Sequence, residues 1–245
     1  TEQKIGFVPT MGFLHKGHES LIKCSVNQCF KTVVSIYVNP LQFGRGEDFN
    51  KYPRDVEHDK KILKKTGADY LFIPSTNEMY EKDFLTQVKV KKLNRIMCGK
   101  FRPIHFNGVC TVVLKLLNIV EPDIAYFGLK DYQQFLIISQ MVKDLNLNVK
   151  IKGCPTVREK DGLAMSSRNK YLSIAERNNA TVLYKNIKKA AFMIKSGEKD
   201  LEFIKNQILA IFNNNQYVTK VDYFDFRDPE TLKEIKNLKT YLKQN

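Results

Sequence analysis

Short apolar runs of β-branched and aromatic residues alternate with longer stretches whose apolar positions recur every three or four residues, and this alternation leaves few folds open. The runs IGFVP (residues 5–9), VVSIYV (33–38), YLFI (70–73), IAYF (124–127) and VKI (149–151) are bounded by Pro, Gly, Asn or Asp, the punctuation expected of strands. Apolar on both faces, they suit a buried parallel sheet. Between them, Val109, Val112, Val113, Leu116, Leu117 and Val120 mark one face of a helix that ends before Pro122, and packing is the role this face predicts. Phe135, Ile138, Val142 and Leu145 form a second stripe, and Leu21, Ile22, Val26 and Cys29 a third. Pro53 suits the first turn of another helix that runs toward Thr66 and stops at Gly67. The pattern predicts an α/β fold, a Rossmann-like doubly wound parallel sheet whose ligands gather at the carboxyl ends of the strands.

After Pro155 the rhythm changes. Residues 174–215 read as mainly helical and lysine-rich, and VDYFDF (221–226) alternates as a strand does. We expect a larger domain over residues 1–156 and a smaller α+β domain over 157–245.

The 245 residues exceed the usual single-domain size, and 43% hydrophobic with 27% charged residues is ordinary for a globular protein. No apolar run approaches the ~20 residues that span a bilayer, and TEQKIGFVPT lacks the regions of a secretory signal. A cytoplasmic chain without a membrane partner is expected. The five cysteines are odd in number and show no C-x-x-C spacing, which favours free buried thiols over disulfides or a zinc site. A net charge of +14 raises the question of nucleic acid. The lysines are scattered through DKKILKKTG, KVKKLNR and KEIKNLKTYLK, and the chain has no tryptophan; solvated helix faces explain them better than a polynucleotide track.

Four loops carry chemistry. In VPTMGFLHKGH (8–18), a strand end leads through Gly12 to Gly17 and His18 at a helix start. Unpaired N–H groups, the helix dipole and two imidazoles would make an anion site there. A metal pair is the alternative, disfavoured because no third ligand stands nearby. VNPLQFGRGEDFNKYPRD (38–55) offers Asn39 and Gln42 as neutral donors to a hydroxylated carboxylate. FGLKDYQQF (127–135) offers Lys130 for a phosphate, Asp131 as a helix cap and Gln134 one turn on. PTVREKDGLAMSSRNKYLS (155–173) offers a mobile cluster of Ser166, Ser167 and Arg168.

Taken in order, PTMGFLHKGHESL, VSIYVNPLQFGRGEDFNKYPRDVEHD, HFNGVCTVVLKLLNIVEPDIAYFGLKDYQQ and VREKDGLAMSSRNKYLS resemble the pantothenate synthetase (pantoate:β-alanine ligase) family across residues 5–173. HKGH resembles the HxGH signature of the wider nucleotidylyltransferase superfamily, and MSSR stands where its mobile KMSKS-type loop does. The resemblance implies two steps: ATP and pantoate give pantoyl adenylate and pyrophosphate, then β-alanine gives pantothenate and AMP.

By position, the resemblance implies ATP contacts at Pro9, Thr10, Met11, Gly12, His15, Gly17 and His18, with His18 the family's proton donor. Further ATP contacts are implied at Gly128, Leu129, Lys130, Asp131 and Val157, and at Met165, Ser166, Ser167 and Arg168. Lys130 and Arg168, with the two histidines, are the expected catalytic set; Gln42 and Gln134, supported by Asn39, the pantoate set. Mg²⁺ is expected on the ATP phosphates, with no protein ligand assigned, and the chain is expected to be a homodimer. Ile104 in RPIHF stands where the family commonly has glycine. The family also implies a helical segment ahead of the first strand and a closing RLIDN-like strand that KTYLKQN does not supply. A nucleotidylyltransferase that stops after nucleotidyl transfer, and a basic RNA-binding module, are the competing readings.

Overall fold

The computed structural model describes residues 3–244. Five strands, β1 (Ile5–Thr10), β2 (Lys31–Ile36), β3 (Tyr70–Phe72), β4 (Ile124–Gly128) and β5 (Lys150–Cys154), form one parallel sheet in the order β3-β2-β1-β4-β5. Each run expected to be a strand contributes to one. Their limits follow their partners: β2 pairs with β1 from Lys31 to Ile36, and β5 pairs with β4 from Lys150 to Cys154. The order places β1 and β4 side by side with their connections leaving in opposite directions, so a crevice opens at the carboxyl ends Thr10 and Gly128.

Helices α1 (Lys16–Val26), α2 (Val56–Thr66), α3 (Thr76–Met79), α4 (Cys98–Phe101), α5 (His105–Val120) and α6 (Tyr132–Asp144) connect the strands. Alternation along the strands feeds two cores. Phe7, Ala125 and Phe127 pack with Val109, Val113, Leu117, Ile137 and Ile138 of α5 and α6. Val8, Val34 and Tyr126 pack with Leu21, Ile22 and Leu63 of α1 and α2. Helix α2 opens at Asp55, which caps His58 N, so Pro53 lies in the preceding turn and not in the first helical turn. Leu145 falls past the end of α6 and is exposed, which removes it from the expected stripe. All five cysteines are free, with Cys110 and Cys154 buried and the other three half-buried.

The chain forms two compact units, Thr1–Val157 with Ala164–Arg168, and Arg158–Leu163 with Asn169–Asn245. A single cut after residue 156 therefore misassigns the Ala164–Arg168 segment, whose contacts are with the first unit. The second unit holds α7 (Ile174–Asn179), α8 (Val182–Lys195), α9 (Leu201–Asn213) and α10 (Leu238–Gln244). Its core joins Ala190 of α8 to Leu201, Ile204, Ile208 and Phe212 of α9, with Phe224 and Phe226 against them. Residues 221–226 are not a strand, and the α+β reading of this unit needs correction: among its described residues only the isolated bridges Asp200–Asn237 and Arg227–Glu234 occur. A strand needs a neighbour for its ladder. Here Phe226 O takes the amide of Ile235 and Asp228 N donates to Lys233 O, closing an irregular turn instead. Among the described residues, no helix is long and apolar enough to cross a membrane.

Candidate active site

A cleft within the first unit opens where β1 and β4 end. Its nearest wall is the β1–α1 loop. Thr10 Oγ1 donates to Ser35 O at 2.7 Å and accepts from Gly12 N at 3.1 Å, so the hydroxyl shapes the turn after β1. His15 is then the N-cap of α1: its Nδ1 accepts from Gly17 N at 3.1 Å, while His18 Nδ1 accepts from His15 N at 3.3 Å. This is a reciprocal capping box built from imidazoles, which explains a spacing of three. Glycine at 17 follows, because a Cβ there would lie 2.8 Å from His15 Cε1. With both Nδ1 atoms accepting, each neutral ring carries its proton on Nε2. The rings lie 4.1 Å apart, centroid to centroid.

Burial, then His15 and Lys130, lower the pKa of His18 to about 3; burial, then Lys130, lowers that of His15. The pair is neutral at physiological pH. The unfolded chain takes up a proton near pH 6.5 that the folded chain refuses until about pH 3, so His18 costs stability as pH falls through that window. In ¹⁵N NMR of the free protein, His18 should show a single Nε2–H tautomer and no titration between pH 5 and 8.

The second wall is the turn after β2. Asn39 Nδ2 donates to Gln42 Oε1 at 3.1 Å and to Gly108 O at 3.0 Å, and Asn39 Oδ1 accepts from Leu41 N and from the Tyr80 hydroxyl. Asn39 is 1% exposed and does not line the cleft. Direct ligand contact by Asn39 is therefore corrected to support of Gln42, which lines the cleft and donates from Nε2 to Met11 Sδ at 3.1 Å. Helix α5 presses on this turn so closely that a Cβ on Gly108 would sit 2.2 Å from Leu41 O. Gly108→Ala should destabilise the fold by ~1–3 kcal/mol through overpacking, measured by denaturant unfolding.

Sequence reading did not single out Tyr52, Arg102 and His105 as cleft residues, yet all three line it. Arg102 pairs with Glu47, whose carboxyl it pulls below the ordinary range, and donates to Gln42 O at 3.4 Å. His105 Nδ1 donates to the same carbonyl at 2.9 Å, and burial keeps its ring neutral. Ile104 has an ordinary right-handed helical φ of −95° ahead of α5, so the position places no demand for glycine on the backbone. Val109, Val112, Val113 and Leu116 of α5 line the cleft as well as the core, a role beyond the packing expected of them.

At the β4 end, Gly128, Lys130, Asp131 and Gln134 line the cleft, whereas Leu129 does not. Asp131 makes no side-chain cap for α6; its carboxylate faces Lys130 Nζ at 3.1 Å, because the ammonium offers a stronger partner than the helix amides. The segment Met165, Ser166, Ser167 and Arg168 completes the rim beside Val157. Ser167 Oγ donates to Phe13 O at 3.1 Å. Arg168 forms a two-point pair with Asp48 at 2.8 and 3.0 Å, over the Tyr52 ring. Pro9, Met11, His15, Gly17 and His18 also line the cleft, while Gly12 sits behind it. Among the described residues no three His, Cys, Asp or Glu side chains gather as a metal cage.

The arrangement sets Lys130, Arg168, the His15 and His18 imidazoles and a helix start against a wall of amides and branched aliphatic side chains. It suits a phosphorylated reactant beside a small, partly apolar one. A family model described as Pantoate-beta-alanine ligase matches residues 1–244. The pantothenate synthetase of Caldicellulosiruptor bescii is 57% identical over 233 residues, covering 95% of this chain and 82% of that protein. The crystal structure of pantothenate synthetase from Thermus thermophilus matches with a TM-score of 0.91 at 43% identity, covering 96% of this chain and 84% of that one. Pantoate-beta-alanine ligase from Francisella tularensis, crystallised with beta-gamma ATP and beta-alanine, matches with a TM-score of 0.71 at 42% identity, over 85% of this chain and 78% of that one. Likeness of this extent, in sequence and in fold alike, means that the chain belongs to the pantoate-beta-alanine ligase family.

Proposed function

We propose that this cleft joins pantoate to β-alanine at the expense of ATP, through a pantoyl adenylate. One observation carries the reading: two neutral imidazoles, Lys130 and Arg168 meet at the β1–β4 crevice beside an amide-bearing, aliphatic pocket. In the first step a pantoate carboxylate oxygen attacks the α-phosphorus and the bond to the bridging oxygen breaks, releasing pyrophosphate. In the second the β-alanine amine attacks the acyl carbon and AMP leaves with the carboxylate-derived oxygen. Negative charge moves toward pyrophosphate in the first step, so fixed donors aimed at the phosphates lower its barrier.

His15 and His18 serve as neutral hydrogen-bond donors through Nε2. For His18 this replaces the proton-donor role, since a ring whose pKa lies about 3 holds no imidazolium proton to give. Lys130 and Arg168 supply charge, Arg168 exchanging Asp48 for phosphate oxygens. Gln42 and Gln134 orient the hydroxyls of pantoate, and Val109, Val112, Val113 and Leu116 receive its methyl groups. Asp131, the carboxylate that lines the cleft, faces Lys130, and Asp48 and Glu47, which do not line it, are held by Arg168 and Arg102, so the described residues do not fit a protein-held metal. Mg²⁺ enters, in this proposal, on the triphosphate with its waters. A homodimer in the cytoplasm belongs to the same proposal and rests on the family resemblance.

Omitting ATP, Mg²⁺, pantoate or β-alanine in turn tests the reading. Pyrophosphate should form with β-alanine absent, and AMP should accumulate only with all four present. Pyrophosphate release that ignores pantoate would refute it. Gln42→Ala should raise the KM for pantoate by about tenfold or more while ATP binding stays within about twofold, as expected for losing buried polar contacts to one reactant; steady-state kinetics and nucleotide titration measure both.

A further inference from the structure

The turn that brings His15 to the cleft is gripped from behind. Gly12 (φ 80°) and Phe13 (φ 51°) follow one another in the left-handed region, which glycine enters freely and phenylalanine at a cost. The backbone N–H groups of Phe13 and Leu14 consequently converge, as in the concave turns that bind anions. Here the anion is a side chain of the same protein. Asp59 Oδ2 accepts from Phe13 N at 2.8 Å, and Asp59 Oδ1 accepts from Leu14 N at 2.7 Å. Asp59 lies on α2, is 1% exposed and does not line the cleft. Its neighbour His58 donates from Nε2 to Leu14 O at 3.3 Å, so two consecutive residues of α2 hold both polar groups of Leu14.

Two parts of the cleft depend on these three residues. The chain runs from Leu14 directly into the His15 cap, and the Phe13 carbonyl receives Ser167 of the rim. A left-handed phenylalanine persists only where its surroundings over-determine it, and the Asp59 carboxylate supplies that constraint. We propose that Asp59 is a positioning residue for the ligation: its carboxylate fixes the Gly12–Leu14 turn from which the paired histidines and the Ser167 anchor take their places. The choice of reaction rests on the proposed function above; the geometry does not.

Asp59→Asn in the full chain keeps the side chain's size but turns one acceptor into a donor facing a backbone N–H. Pantoate-dependent pyrophosphate release should fall by about 10- to 100-fold, the scale of an ångström-sized misplacement. The KM for pantoate should stay within about twofold, and His18 should lose its single Nε2–H signature in ¹⁵N NMR. Gly12→Ala attacks the same contact from the turn: its Cβ would lie 3.0 Å from Asp59 Oδ2 and 2.9 Å from Ile36 Cγ2. It should show the same three effects, and it decides the matter if Asp59→Asn does not fold. A folded variant with wild-type rate and wild-type His18 signal overturns the proposal. So does a loss of rate that merely follows the unfolded fraction by circular dichroism while the folded fraction keeps its His18 signal. Should the wild type form no pantoyl adenylate, the proposed function fails, whereas the His18 signal in the two variants still judges the positioning.

Discussion

His18→Ala should lower the rate of pantoyl adenylate formation by roughly 10²–10³-fold, the effect of deleting one preorganised donor from a developing anion. Two contributions combine. The Nε2–H is lost from the cleft, and so is the Nδ1 that accepts from His15 N and closes the cap of α1. The cap alone is worth ~1 kcal/mol of stability. Glutamine separates the two, because it is the residue most suited to the third position of a capping box and still carries an N–H. His18→Gln should keep the stability of the parent and recover part of the rate. Equal losses for alanine and glutamine, in single-turnover assays, would assign the effect to the imidazole alone.

Lys130→Ala is expected to cost about 10²-fold or more in the same step. Lys130 stands at the end of β4, 3.1 Å from Asp131, and is close enough to both histidines to help hold their pKa values down. The variant therefore makes a second, independent statement: the titration of His15 and His18 should move upward in the free protein, while the fold is unaffected. An unchanged rate with shifted histidines would place Lys130 beside the site but outside the reaction.

How much of this was legible in the sequence depends on the range of the contact involved. The central strands β1, β2 and β4 could be read because burial forces an apolar run, whereas the edge strands β3 and β5 are partly exposed and β5 extends past the VKI segment to Cys154. The histidine pair could be placed at a helix start because strand end, glycines and helix start follow one another in sequence, but its capping box, although it lies within four residues, was not expected because imidazoles are unusual caps. Errors begin where the competing partner is remote or unexpectedly strong. Asp131 has the sequence of a cap and the environment of an ion pair. Asn39 has an amide suited to a ligand, but the Gly108 carbonyl takes its donor and the Tyr80 hydroxyl its acceptor, from 69 and 41 residues away. Residues 221–226 alternate correctly but find no neighbouring strand among the described residues. The grip of Asp59 on Phe13 and Leu14 spans 46 and 45 residues, and no periodicity announces it.

The central claim is that the cleft activates a carboxylate by attack on the α-phosphorus of ATP. Pantoate labelled with ¹⁸O in its carboxylate tests it most directly, with the products of a complete reaction separated and weighed by mass spectrometry. One labelled oxygen should appear in AMP and none in pyrophosphate. Label in pyrophosphate or inorganic phosphate, or AMP released without label while pantothenate forms, would contradict the account.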